Sequence, residues 1–194
     1  EFRRVLFRST VPKEKRNGRV QITVSTSFFV PKPFTPFQWA SQDTKDDFIS
    51  KAYKTRKAIA DTLNQKSIKY NWHETDTSVL EGVFARGDRR LSDVIMTAYK
   101  KGCIYDAWSE TYRHDLWMEA FDECGISVDF YTTRPRKDDE IFPWDMIDCG
   151  VTKKFLLNEW HKAQDGTASQ NCKERCNGCG AAAFGVGICR THQG

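Results

Sequence analysis

Polar and apolar residues alternate from Val20 to Val30. Val20, Ile22, Val24, Thr26, Phe28 and Val30 fall on one face, and Gln21, Thr23, Ser25 and Ser27 on the other. This period of two predicts an eleven-residue strand. Its small polar face either lines a cavity, as in barrels, or lies in water as the outer side of a half-buried strand. Pro31, Pro33 and Pro36 follow within six residues, which predicts a stiff extended loop to Trp39 rather than helix. The period then becomes helical. Phe48, Ala52, Ile59 and Leu63 share one face of a helix that opens at Asp43 or Thr44 and runs to about Asn64. Ser67–Trp72 reads as a short strand.

Three further helices fit the same spacing. One covers Thr77–Ala85, with Val79, Leu80, Val83 and Phe84 inward and Gly87 as its stop. Asp88 caps the next, which carries Leu91, Val94, Ile95, Ala98 and Tyr99 and stops at Gly102. The third carries Tyr112, Leu116, Trp117, Ala120, Phe121 and Cys124 and stops at Gly125. Ser127–Phe142 is irregular and includes a solvated charge run from Arg134 to Glu140. Pro143–Asp148 is compact and aromatic. A last helix over Thr152–Ala163 gathers Phe155, Leu156 and Trp160, and Gln164–Gln170 is a polar linker. No internal repeat is visible.

The 194 residues suffice for one domain, or one domain and a small appendage. Charged residues make up 29% and aromatic residues 13%, including six Trp and thirteen Phe, which excludes a disordered chain. No apolar stretch approaches the roughly 18–20 residues that span a bilayer. The net charge of +4 would suggest an anionic partner. Glu1–Ser9 alters that picture. Back-translated as GAG TTC AGA CGT GTG CTC TTC CGA TCT, it resembles a common sequencing adapter, and it reads as an artefact outside the fold. The competing reading is a basic arm for nucleic acid or an acidic partner. Without its three arginines and one glutamate the remainder carries only +2, so nucleic acid is not indicated.

Of seven cysteines, Cys103, Cys124 and Cys149 are scattered, while Cys172, Cys176, Cys179 and Cys189 crowd together near the end. An odd total, with no apolar run behind the basic N-terminus, points to a reducing, cytoplasmic setting rather than a disulfide scaffold. There the C-x3-C-x2-C spacing of Cys172, Cys176 and Cys179 reads as a metal or cluster site. Gly178 and Gly180 permit the tight turns that direct N–H groups at sulfur. The fourth position falls to Cys189, His192, Cys149 or an exogenous ligand on an iron–sulfur cluster. Cys124, on a helical stripe, reads as a small buried hydrophobe. His73 with Glu74, and His114 with Asp115, lack partners at metal spacing and suit surface or capping roles. Asp145 and Asp148 suit backbone N–H bonds in their loop.

An ordered set of longer motifs resembles the C-terminal part of cobalamin-associated radical S-adenosylmethionine (SAM) proteins. It opens with Val24-Ser-Thr-Ser-Phe-Phe-Val-Pro-Lys-Pro-Phe-Thr-Pro-Phe-Gln-Trp39, similar to the strand and PKP-x-TPFQW loop at the end of that family's barrel. Arg86-Gly-Asp-Arg-Arg-Leu91, Tyr105–Trp108, Leu116–Phe121, Pro143–Asp148, Gly150–Leu157 and the cysteine tail follow in order. Two places depart from the pattern. Met146 stands where His is usual, and no nearby cysteine follows Gly180 until Cys189. The tail cannot be the family's catalytic cluster loop, because only 15 residues follow Cys179 and that loop precedes a whole barrel.

The resemblance implies an α+β or α/β fragment. Residues 10–40 end a radical SAM partial TIM barrel, 41–165 form a mainly helical region, and 166–194 a Cys-rich metal or cluster tail. It implies upstream barrel and cobalamin-binding-type domains, with a [4Fe–4S] cluster, SAM and cobalamin as the parent's cofactors. The fragment itself would be inactive, with zinc or an accessory iron–sulfur cluster in its tail. The alternative is a zinc-stabilised helical module that docks protein or RNA.

Overall fold

Thr23, Ser25 and Ser27 are exposed while Ile22, Val24, Thr26 and Phe28 are half-buried, so the alternation along the first strand separates water from core. The structure is a computed structural model and describes residues 12, 15, 22–62, 67–108 and 110–185. Val20, Gln21 and Leu63 of the expected elements lie outside them. The chain divides into two compact units, the first containing residues 22–28 and 45–75, the second residues 29–44 and 76–185.

In the first unit, β1 (Ile22–Thr26) pairs in parallel with β2 (Ile68–Trp72), in a register from Ile22 opposite Ile68 to Thr26 opposite Trp72. The described strand is therefore five residues, shorter than the eleven-residue alternation, because its partner ends at Trp72 and the His73 N–H makes the last bond, to the Thr26 carbonyl (3.2 Å). Helix α1 (Lys45–Thr62) is the crossover between the strands. It buries Phe48, Ala52 and Ile59, with Phe48 stacked on Phe28 at 4.4 Å and Tyr53 edge-on to Trp72. Thr23, Ser25, Lys69 and Asn71 face away and are exposed. Among the described residues the sheet has these two strands and closes no barrel.

The second unit is helical, so the described residues combine several helices with one small parallel sheet, an α+β arrangement. Helices α2 (Thr75–Ala85), α3 (Leu91–Lys100), α4 (His114–Glu123) and α5 (Val128–Tyr131) supply the larger core, where Val83, Val94, Ala98, Trp117, Ala120 and Phe121 are buried. Gly102 and Gly125 stop α3 and α4 in the left-handed region, at φ +99° and +63°. Phe84, Ile95 and Tyr99, expected inward, are exposed: each lies at the margin of its helix's apolar stripe. Gly87 does not close α2 with a positive φ. It is small because a Cβ there would meet Leu91 Cδ1 at 2.2 Å. The region expected to be irregular contains α5, capped by Ser127 Oγ accepting from the Phe130 N–H.

A smaller core joins Trp39, Phe142, Trp144 and Leu156, the last from α6 (Lys153–Gln164). The proline-rich loop reaching it is not wholly extended. Pro36–Trp39 is a 3-10 turn with Pro at its first position, where no N–H is missed. Phe34 before it takes φ +59°, held by Thr35 Oγ1 donating to the Lys32 carbonyl and by the Phe34 N–H donating to Gln38 Oε1. Gln38 Oε1 also accepts from Trp144 Nε1 at 2.8 Å, which ties the loop to the aromatic segment.

The charge run is solvated at Pro135 and Lys137–Asp139, as expected, but Arg134, Arg136 and Glu140 are drawn inward. Glu140 binds Arg134 through both nitrogens (2.9 and 2.6 Å) and Arg136 Nη1 (2.9 Å), with the Arg136 side chain only 3% exposed. Phe142 attracts the run inward, since Arg136 and Lys153 both lie over its ring. Arg86 is buried more deeply, at 1% exposure. Its Nη1 donates to the Ala40 carbonyl and its Nη2 to the Thr132 carbonyl, both at 2.7 Å. Desolvation first, and then Arg136 and Arg134, lower its pKa to about 10. No described helix is long and apolar enough to cross a membrane.

Arg86→Ala removes two charged hydrogen bonds, each worth about 1.5–3 kcal/mol; the half-buried Ala40 carbonyl loses its guanidinium partner, while the Thr132 carbonyl keeps the Gln42 N–H. Urea denaturation is expected to show a loss of at least about 3 kcal/mol. Asp88 supplies a pH-dependent contribution: its bonds to Arg90 first, aided by the Tyr131 hydroxyl, hold its pKa at about 2 rather than the ordinary 3.8. The folded value lies below the unfolded one, so this stabilisation is present above about pH 4 and fades as pH falls towards 2. Asp88→Asn should flatten that part of an acid-unfolding curve.

Candidate metal centre

Helix α6 fixes one side of the cysteine tail. Its first turn is capped by Thr152, whose hydroxyl accepts from the Phe155 N–H at 3.2 Å. The loop before it is built by carboxylates, as expected for Asp145 and Asp148. Asp145 Oδ2 accepts from the Phe142 N–H (2.9 Å) and pairs with Lys153, whose Nζ also donates to the Glu140 carbonyl (2.6 Å). Asp148 Oδ1 accepts from the Gly150 N–H at 2.8 Å, and Gly150 takes φ +82°. Cys149, between them, is exposed, with its thiol 3.7 Å from the Val151 carbonyl.

The other side comes from the chain returning along α6. Ser169 Oγ donates to Glu159 (2.6 Å) and accepts from Lys162 Nζ (2.7 Å). These contacts, the one to Lys162 foremost, hold the Glu159 carboxyl below its usual range. The Asn171 carbonyl then accepts from the N–H groups of Glu174 and Arg175, which makes a turn between Cys172 and Cys176. Asn177 Nδ2 donates to the Gln170 carbonyl at 2.8 Å and closes the base of this loop.

Beyond it the backbone doubles back between two left-handed glycines, Gly178 at φ +69° and Gly180 at +103°. The Thr152 N–H donates to the Cys179 carbonyl at 2.9 Å, so the tail is docked on the N-terminus of α6. The approach is close enough to require glycine. A Cβ on Gly180 would lie 2.8 Å from Thr152 Cγ2 and 3.4 Å from the Gly150 carbonyl.

The structure therefore places the predicted ligands as follows. Cys172 and Cys176 are exposed and Cys179 is half-buried, all as free thiols. Cys189 and His192 lie outside the described residues. Among the described residues no three Cys, His, Asp or Glu side chains gather around one point. In donor chemistry and backbone shape the segment nonetheless fits a thiolate-bound metal. Three accessible thiols lie within eight residues, and glycines flank Cys179 where peptide N–H groups must turn towards sulfur. Zinc or iron there would be held by Cys172, Cys176 and Cys179. A cavity of about 240 Å³ beside Cys149 is floored by Phe34, Trp144 and Leu156 and rimmed by Asp148 and Lys153.

The remaining candidates take structural roles. Cys103 is buried and its thiol pKa is raised, first by desolvation. Cys124 is half-buried, with Thr97 Oγ1 3.7 Å from its sulfur. His73 Nδ1 lies 3.5 Å from Ser27 Oγ on an exposed surface, and His114 Nδ1 lies 3.4 Å from the Tyr112 hydroxyl at the start of α4. No protein-family model, curated protein or solved structure matches the chain. Sequence reasoning missed that the loop bearing Cys149 receives the tail. The Cys-Gly dipeptide at both Cys149 and Cys179 carries no signal for it, since the same pair recurs at Cys124-Gly125 at the end of α4.

Gly180→Ala should release the tail. Exchange of the Thr152 amide is expected to accelerate at least about tenfold, equivalent to about 1.4 kcal/mol of local stability. Gly178→Ala, where a Cβ meets open space, carries only the backbone cost of its φ and should leave that amide protected.

Proposed function

We propose that the chain is the C-terminal part of a radical SAM enzyme, in which an upstream barrel holds the [4Fe–4S] cluster at which SAM is reductively cleaved. The ordered motifs from Val24 to Gly180 are the reason for the family, and one structural observation supports the reading. The β1–α1–β2 crossover is parallel, yet among the described residues its sheet has two strands and leaves Thr23, Ser25, Lys69 and Asn71 exposed. Parallel sheets occur with more strands and both faces covered, and two strands alone are marginal in water. This sheet suits an addition to strands supplied elsewhere, and a barrel wall supplies them.

On this reading the partners are the upstream barrel and a cobalamin-binding-type domain of the same protein, in the cytoplasm. SAM and its cluster belong to the barrel, as does any cobalamin to its own domain. The present residues contribute the last strands, the loop from Pro31 to Trp39 and the helical unit. The tail carries an accessory iron–sulfur cluster or zinc on Cys172, Cys176 and Cys179. Docking of the tail on α6 favours a second reading, a zinc-stabilised helical module that binds protein or RNA.

Two measurements separate the readings. Anaerobic reconstitution with iron and sulfide should give a brown protein absorbing near roughly 400 nm under the first reading, and tight zinc without cluster uptake under the second. The genomic frame before Thr10 should contain another C-x3-C-x2-C after a strand; a nearby start codon favours the module. The isolated chain should form no 5′-deoxyadenosine from SAM and reductant, and its formation would overturn the fragment reading.

A further inference from the structure

Two of the chain's three Cys-Gly pairs, Cys149-Gly150 and Cys179-Gly180, lie close together. Cys179-Gly180 lies against the Gly150–Thr152 segment through the Thr152 N–H bond to the Cys179 carbonyl. The position of a Gly180 Cβ falls 3.4 Å from the Gly150 carbonyl oxygen. Both glycines are left-handed, at φ +82° and +103°, and each directly follows a cysteine. Two left-handed turns are thus close together, and each carries a cysteine.

We propose that Cys149 is the fourth ligand of the tail's metal, completing a four-thiolate site with Cys172, Cys176 and Cys179. The inference rests on the reading that the tail binds metal and goes beyond it by assigning the last ligand. Neutral sulfurs have no reason to converge, and as free thiols they remain apart; a dication supplies that reason by holding thiolates at about 2.3 Å. The turns that carry the four cysteines are each held by a hydrogen bond. Asp148 fixes the turn carrying Cys149, the Asn177 bond closes the loop carrying Cys172 and Cys176, and the Thr152 bond joins the two.

Cys149 is exposed, so its thiol is free to swing to a metal without opening a core. Its nearest polar contact, the Val151 carbonyl at 3.7 Å, is weak. Lys153, one residue beyond Thr152, already partners Asp145 and the Glu140 carbonyl and does not compete for the thiolates. Binding exchanges four S–H protons for one dication, so affinity should rise with pH.

Cobalt(II) added anaerobically to the full chain provides the test, because its ligand-field bands move to shorter wavelength when a thiolate is replaced by oxygen or nitrogen. The unsubstituted chain should give a four-thiolate spectrum at one equivalent. Cys149→Ser should shift the bands and weaken cobalt and zinc binding by at least about 10–100-fold, the loss typical of perturbing even outer-shell partners. Cys176→Ser should weaken binding to a similar extent, and Cys189→Ser and His192→Ala should change neither readout. A four-thiolate spectrum that survives Cys149→Ser, or a three-thiolate spectrum in the unsubstituted chain, overturns the assignment. Absence of any thiolate–cobalt band in the unsubstituted chain removes the metal reading itself. Far-UV circular dichroism of the apo variants checks that replacing an exposed thiol leaves the helices intact.

Discussion

A guanidinium buried without a carboxylate in contact is the constraint on which the helical unit depends. Arg86 closes α2 by reaching two backbone carbonyls, Ala40 in the segment after the proline-rich loop and Thr132 after α5. Gln42 reinforces the same junction, its N–H donating to the Thr132 carbonyl (3.0 Å) and its Nε2 to the Ser78 carbonyl (2.9 Å). Three stretches far apart in sequence therefore share one knot. The knot is costly, because a buried cation loses its hydration and here receives only peptide dipoles in return. Its lowered pKa expresses that cost, and the neighbouring Arg134 and Arg136 deepen it. Glu140 offsets it from a distance, binding both of those arginines while drawing the Arg86 pKa back up.

That electrostatic arrangement extends to the tail. Glu140 holds the arginines through its carboxylate, and its carbonyl receives Lys153, the first residue of α6. Lys153 in turn pairs with Asp145, whose carboxylate also caps the turn at Phe142. The aromatic core fills in beneath, with Phe142 stacked on Trp144 at 4.8 Å and Trp39 edge-on to Phe142. The place where Cys179 docks is therefore set by buried charge and aromatic packing some distance along the chain. A cysteine loop whose own residues are mostly exposed gains its position from this scaffold.

Much of the fold was legible because strong periodicities had simple physical causes. The alternation in β1 and the stripes of α1, α3 and α4 correspond to observed elements. The motif Arg86–Leu91 was legible as a motif but not as a device: Arg86 is the knot, Gly87 admits Leu91, and Asp88 caps the turn and binds Arg90. Nothing in a charged hexapeptide announces that its first arginine will be buried. The run from Arg134 to Glu140 was legible only in part, since Lys137–Asp139 are solvated as composition suggests while pairing with Glu140 and the Phe142 face draw Arg134 and Arg136 inward. At the site, residue types and spacing in the tail were visible. The docking of Gly180 on Thr152 was not, because a backbone contact between residues 28 apart has no side-chain signature.

The same reasoning explains why the tail is docked although its sulfurs stand apart. Ordering a loop costs roughly 1–2 kcal/mol per residue, and the exposed segment around Cys172 and Cys176 buries little to offset it. The contacts at Ser169, Asn177 and Thr152 restrain that loop at its base and its end. The entropy left for a bound metal to remove is then that of the short turn between them. A ligand set half-assembled in this way should bind metal more tightly than a free peptide of the same cysteine spacing, because part of the ordering cost has already been met by folding. On the proposed metal reading, loss of the scaffold at Arg86 would weaken binding without touching a single thiol.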